Sequence, residues 1–262
     1  MEQSKLNDLE KLLSVMKRLR GPEGCPWDRE QTLDSLKWYL VEECFEVLDA
    51  IENGSPEKLM EELGDTLFQI VFLAEISEEE ENFNIFDVIN SVREKMIRRH
   101  PHVFNDQKAY DSNEVKKIWW QIKEEEKGGN EVSVFDSIPN NLPSLLRAFR
   151  ISKRAAHGGF DYDNIDGVLS KLEDGIEEFK ATIKDKERGR MEDELGDILF
   201  SLVNLCRFLE INPEDVLRKT TNKFITRFKE MERSLINRGM KQEEPTPENL
   251  KKLWNRAKRH ES

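Results

Sequence analysis

Glu42-Glu43-x-x-Glu46 and Glu62-x-x-Asp65 are the residues best suited to chemistry in this chain, and Glu173-Asp174-x-x-Glu177 and Glu194-x-x-Asp197 repeat their spacing further on. On a helix turning about 100° per residue, Glu42, Glu43 and Glu46 fall within an arc of about 100°. Glu62 and Asp65, three apart, share a face of their own helix. Two such helices packed antiparallel bring four or five carboxylates together. Crowded, desolvated carboxylates repel one another, so they must take up protons or bind cations. An all-oxygen donor set selects hard divalent ions, Mg²⁺ or Mn²⁺. A di-iron centre would place Glu-x-x-His on two helices, whereas Asp65 and Asp197 stand at the fourth position here.

Cations accompany each acidic set. Lys95-x-x-x-Arg99 and Lys223-x-x-x-Arg227 each place two positive charges one turn apart, which suits phosphate oxygens; solvated surface charge is the plain alternative. Trp254 with Lys258, matched earlier by Trp119 with Lys123, has the means to stack a base and touch a phosphate. Core packing explains a tryptophan equally well. His100-Pro101-His102 reads as a turn, because no cysteine or third histidine completes a zinc site. Trp27 is expected to plug the bundle, and Glu78 to Glu81 to form a solvated helix end.

These residues need long helices to hold them. Amphipathic periodicity predicts helices near 5–20, 31–53, 56–81, 85–99 and 112–126, then near 143–156, 164–185, 188–211, 213–236 and 246–260. Ser55-Pro56 and Asn212-Pro213 mark helix starts. The fold class is therefore all-α. In helix 31–53 the acids lie opposite a stripe of Leu40, Cys44, Val47, Leu48 and Ile51, which by itself favours a solvated acidic face. The next helix is apolar nearly all round from Leu67 to Ile76, so its Glu62 and Asp65 lead into a buried face. Gly64 and Gly196, between the paired acids, are expected to admit a close neighbouring helix.

Glu62-Leu63-Gly64-Asp65-Thr66-Leu67-Phe68 returns as Glu194-Leu195-Gly196-Asp197-Ile198-Leu199-Phe200. The acidic, cationic and tryptophan segments return in the same order. The chain therefore reads as two tandem copies of one helical unit, residues 1–127 and 143–262, joined by a linker over 128–142 that begins Gly128-Gly129-Asn130.

Charged residues make up 36% of the chain and hydrophobic ones 37%, with a net charge of −12. That balance repels nucleic acid at long range and requires metal ions for any bound phosphate compound. It also describes thin helical units that need further cover, so a homodimer is expected. Cys25, Cys44 and Cys206 are scattered, which fits the reducing cytoplasm, and no apolar run is long enough for a membrane span.

The pattern Glu-Glu-x-x-Glu followed by Glu-x-x-Asp, with Gly24-Cys25-Pro26-Trp27-Asp28 before it, Arg99-His100-Pro101-His102-Val103-Phe104 after it, and the tandem arrangement itself, resembles the MazG nucleoside triphosphate pyrophosphohydrolases. The resemblance covers most of the chain. It implies an all-α fold, Mg²⁺ dependence, and hydrolysis of a nucleoside triphosphate to a monophosphate and pyrophosphate. It further implies a dimer. By that match the metal ligands are Glu43, Glu46, Glu62 and Asp65, then Asp174, Glu177, Glu194 and Asp197. Glu42 and Glu173 would orient or deprotonate water. Asp174 departs from the pattern, which has Glu. Two alternatives stay open: a non-catalytic dimerisation or metal-binding module, and a pyrophosphatase restricted to dUTP, dCTP or a phosphoribosyl nucleotide. Because its cation pair sits inside a longer helix, the second copy is expected to carry most turnover.

Overall fold

The computed structural model describes residues 2–126, 133–237 and 246–259, and every regular element among them is a helix. They fall into two units, Met1–Lys127 and Gly128–Ser262.

The first unit contains α1 (Glu2–Arg20), α2 (Pro26–Glu30), α3 (Leu33–Asn53), α4 (Pro56–Glu79), α5 (Ile85–Arg99), α6 (Pro101–Phe104) and α7 (Ser112–Glu126). Local chemistry sets the boundaries. Thr32 and Ser35 form a capping box at the start of α3, and Asn84 and Asp87 form another at α5. Gly54 adopts a left-handed conformation (φ 69°) to end α3, and Ser55 then caps α4 with Pro56 in its first turn. With only Gly54 and Ser55 between them, α3 and α4 form a tight antiparallel hairpin.

Met16 of α1, Leu36 of α3, and Val71, Phe72, Ala74 and Ile76 of α4 form the core, which Ile85 completes. Full burial of a side chain such as Phe72 contributes about 1.5–3 kcal/mol. Arg20 fastens α1 to this core. Its guanidinium donates to both Glu79 carboxylate oxygens (2.7 and 2.5 Å) and to the backbone oxygens of Asp28 and Gln31 (2.6 and 3.3 Å). Lys17 pairs with Glu78 at 3.3 Å. Two residues of the expected solvated helix end therefore tie helices together.

Helices α2 and α6 escape the sequence reading because four or five residues carry no period. Trp27 does not plug the bundle. It is half-exposed, edge-on to Tyr39 at 6.1 Å, while its neighbour Asp28 is buried. Gly24 is required where it stands: a Cβ there would lie 2.1 Å from the Leu19 backbone oxygen.

The second unit contains α8 (Ser144–His157), α9 (Ile165–Asp185), α10 (Arg188–Phe208), α11 (Pro213–Asn237) and α12 (Pro247–Arg259). Helices α9 and α10 repeat the α3–α4 hairpin, turning through left-handed Lys186 (φ 57°). Part of the segment read as linker packs here: Ile138 is buried, and Arg154 of α8 donates to Val134 O and Ser137 Oγ. Residues 128–132 of that segment lie outside the described residues.

Candidate acidic site

The α3–α4 hairpin decides which side chains of α3 turn inward. Leu36, Leu40, Glu43, Val47 and Ala50, at steps of four and three, form its covered line. Cys44, Phe45, Leu48 and Ile51 are exposed. This reverses the expected arrangement on α3. Glu43 faces α4, and most of the stripe expected to be buried faces outward. The helix has two apolar faces, and the sequence alone does not say which one α4 covers.

On α4, Glu62, Asp65 and Gln69 follow one another down a single face. Glu62 is buried at 7% exposure, and Asp65 is exposed. Carboxylate oxygens of Glu43, Glu62 and Asp65 lie within 4.8 Å of one another. Glu46, also from α3, adds its charge and helps to raise the Glu62 carboxyl. The four residues expected to act together in the first copy are thus neighbours. Glu42 is exposed beside them.

The electrostatics follow from crowding. Desolvation pushes the Glu43 carboxyl up, the charges of Asp65, Glu46 and Glu42 add to this, and a hydrogen bond from Gln69 opposes it. Desolvation also raises Glu62, helped by Glu46 and opposed by Lys58 at 3.8 Å. Two carboxyls, Glu43 and Glu62, held above the ordinary carboxylate range within an all-oxygen cluster are the environment a hard cation relieves.

The second copy is arranged differently. Glu194 is half-buried, while Glu173, Asp174, Glu177 and Asp197 are exposed. Among the described residues, the three-acid cluster forms in the first unit and not in the second. Glu177 turns to Lys180 at 2.7 Å, which lowers its pKa. At the matching place the first copy has Asp49, so no lysine draws Glu46 away. Gly64 and Gly196 have nothing within 4 Å of an added Cβ, so neither marks a close approach among the described residues; Gly175 does, with Ile198 at 3.4 Å.

The expected phosphate ligands are also unequal. Arg99 donates to Glu126 from Nε and Nη2 (3.0 and 2.5 Å), and Arg98 adds a third bond at 2.6 Å. These cations hold the Glu126 carboxyl below its usual range. The Arg99 guanidinium lies 5.4 Å from the Trp119 ring, and Lys123 lies 4.9 Å from the same ring. Lys95 is half-buried. In the second unit, Arg227 lies 6.0 Å from Trp254, which packs on Phe224 at 5.0 Å, and Lys223 and Lys258 are exposed. His100 Nδ1 lies 2.7 Å from Met96 O, and neither His100 nor His102 joins a metal-type cluster.

Gln69 and a cavity of about 730 Å³ in the second unit went unnoticed in the sequence. Phe135, Ile151, Phe160, Tyr162 and Phe200 line that cavity, with Asn204 and the Arg207–Asp161 ion pair at its polar edge. Asp197, Phe200 and Asn204 stand at i, i+3 and i+7 on α10, so the cavity continues the acidic face. A Phe-x-x-x-Asn run after an acid reads as ordinary core until loop 158–162 is seen folded over it.

The MazG nucleotide pyrophosphohydrolase domain matches this chain twice, over residues 31–104 and 164–231. The Thermotoga maritima nucleoside triphosphate pyrophosphohydrolase/pyrophosphatase MazG is 46% identical over 249 residues, covering 95% of each chain. The Escherichia coli K12 nucleoside triphosphate pyrophosphohydrolase is 42% identical over 260 residues, covering 98% of this chain and 99% of that protein. The crystal structure of a mazG-related protein from Thermotoga maritima is similar at 29% identity and a TM-score of 0.39, covering 44% of this chain and 98% of that one.

Proposed function

The chain belongs to the MazG nucleotide pyrophosphohydrolase family, and on that premise we propose that it hydrolyses nucleoside triphosphates, ribo or deoxy, to monophosphates and pyrophosphate, with Mg²⁺ as cofactor and Mn²⁺ as a substitute. The observation that carries this reading is the convergence of Glu43, Glu62 and Asp65 within 4.8 Å. Those oxygens, with Glu46, suit a hard divalent ion. When bound, such an ion screens the triphosphate and lowers the pKa of water. Asp174, Glu177, Glu194 and Asp197 are the corresponding ligands of the second copy.

Water oxygen bonds to the α-phosphorus, the bond from that phosphorus to the bridging oxygen breaks, and pyrophosphate leaves. Glu42, and Glu173 in the second copy, orient the water and take its proton. Lys95 and Arg99, or Lys223 and Arg227, meet the charge that develops on the leaving group. Trp254 and Lys258 hold base and phosphate. The cavity beside Asp197 has the size of a small-ligand site. Turning over unwanted triphosphates, a housecleaning role, is the physiological task we assign to this activity.

We also propose a homodimer. Leu63, Leu67 and Ile70 on α4 are exposed, as are their matching residues Leu195, Leu199 and Leu202 on α10. The same apolar face on both hairpins fits cover by a second copy. No helix among the described residues is long and apolar enough to cross a membrane.

Purified protein incubated with each common triphosphate and Mg²⁺ tests the activity. Monophosphate and pyrophosphate are expected, and diphosphate with orthophosphate would refute it.

A further inference from the structure

Gln69 lies four residues beyond Asp65 and seven beyond Glu62, on the same face of α4. Its Nε2 donates to Glu43 Oε1 at 3.5 Å. Its own Oε1 is buried and has no hydrogen-bond partner. This orientation of the amide is dictated by charge: the flipped form would press Oε1 against the Glu43 carboxylate. An unpaired buried acceptor is costly and calls for an explanation. An acceptor beside four carboxylates is satisfied by a proton donor, and the water shell of a divalent cation brings such donors.

We propose that Gln69 is a positioning residue: it pins one Glu43 oxygen, leaves the other aimed at the space shared with Glu62 and Asp65, and so gives the first copy a tighter divalent-cation site than the second. The inference rests on the cation site proposed above. A neutral amide suits the task better than lysine, because it orients the carboxylate without neutralising it. At the matching place in the second copy stands Ser201. Its hydroxyl sits on a single carbon, a shorter and weaker substitute for the glutamine amide. The acid it would serve, Asp174, is itself shorter than Glu43 by one methylene.

The test is Mn²⁺ titration of the full-length protein, with free Mn²⁺ counted by electron paramagnetic resonance and melting followed without metal. In Gln69→Met, which keeps the volume and removes the donor, the tight class weakens about tenfold. The metal-free melting temperature holds. In the reciprocal variant, Ser201→Gln, the weaker class tightens. Wild-type affinity in Gln69→Met overturns the proposal. So does a loss of affinity that merely tracks a fall in metal-free melting temperature, since a structural role then suffices. If wild-type protein shows no Mn²⁺ class that Glu62→Gln with Asp65→Asn removes, the cation-site reading falls and takes this proposal with it.

Discussion

The Glu62 carboxyl of α4 and the Glu43 carboxyl of α3 meet with oxygens within 4.8 Å of each other, and Glu62 is buried. Two ionised carboxylates repel at that range, so the folded state without metal holds on to protons that the unfolded chain releases. Glu62 and Glu43 are both raised in the folded state. In the window between the ordinary carboxylate value and the raised one, the folded state binds more protons than the unfolded state. Stability of the metal-free first unit therefore rises as pH falls into that window and declines as pH climbs out of it. Thermal melts in EDTA across that range should show this slope, and the double variant Glu43→Gln with Glu62→Gln should flatten it. An unchanged slope in the variant would place the pH dependence elsewhere.

Arg20 links α1 to the rest of its unit, with its side chain 8% exposed and four hydrogen bonds made. Arg20→Met leaves Glu79 and two backbone oxygens without their donor. We expect a loss of about 2–3 kcal/mol, below the cost of a fully buried pair because Glu79 is partly exposed. Arg20→Lys should rescue little, since an ammonium cannot reproduce the fork. Denaturant melts of both variants check this, and near-wild-type stability for the lysine form would contradict the geometric account.

Light scattering should give about twice the 30.8 kDa mass of one chain. Leu67→Lys together with Leu199→Lys places charge in the middle of both exposed apolar faces and should shift the protein toward the single-chain mass. A monomeric wild type would leave those faces without the cover assigned to them.

The two copies should differ in turnover. Arg99 ends α5 and is committed to Glu126, whereas Lys223 and Arg227 lie within the 25-residue α11. Side chains on a continuous helix hold phosphate oxygens more accurately than those at a helix end. Glu194→Gln with Asp197→Asn is therefore expected to remove most turnover, and Glu62→Gln with Asp65→Asn to remove less. The reverse ranking in steady-state assays would sink this assignment.

Helix identity and the tandem repeat were legible in the sequence, and the meeting of Glu43, Glu46, Glu62 and Asp65 was expected on condition that their two helices pack antiparallel. Orientation was not. Alpha-helix α3 carries apolar residues on two sides, so whether Glu43 or Cys44 turns toward α4 depends on tertiary packing. The fate of Glu177 was hidden for a different reason: Lys180 one turn away competes for it, a local ion pair with no counterpart at Asp49 in the first copy. Gln69 was overlooked as an interruption in the apolar run from Leu67 to Ala74, and only the distance to Glu43 gives it a task.

Hydrolysis of a nucleoside triphosphate in ¹⁸O-labelled water, with and without EDTA, separates metal-dependent attack at the α-phosphorus from attack at the outer phosphates. Mg²⁺-dependent products of monophosphate and pyrophosphate are expected, with the label on the monophosphate because water attacks the α-phosphorus. Label in pyrophosphate or orthophosphate, or turnover indifferent to EDTA, would contradict it.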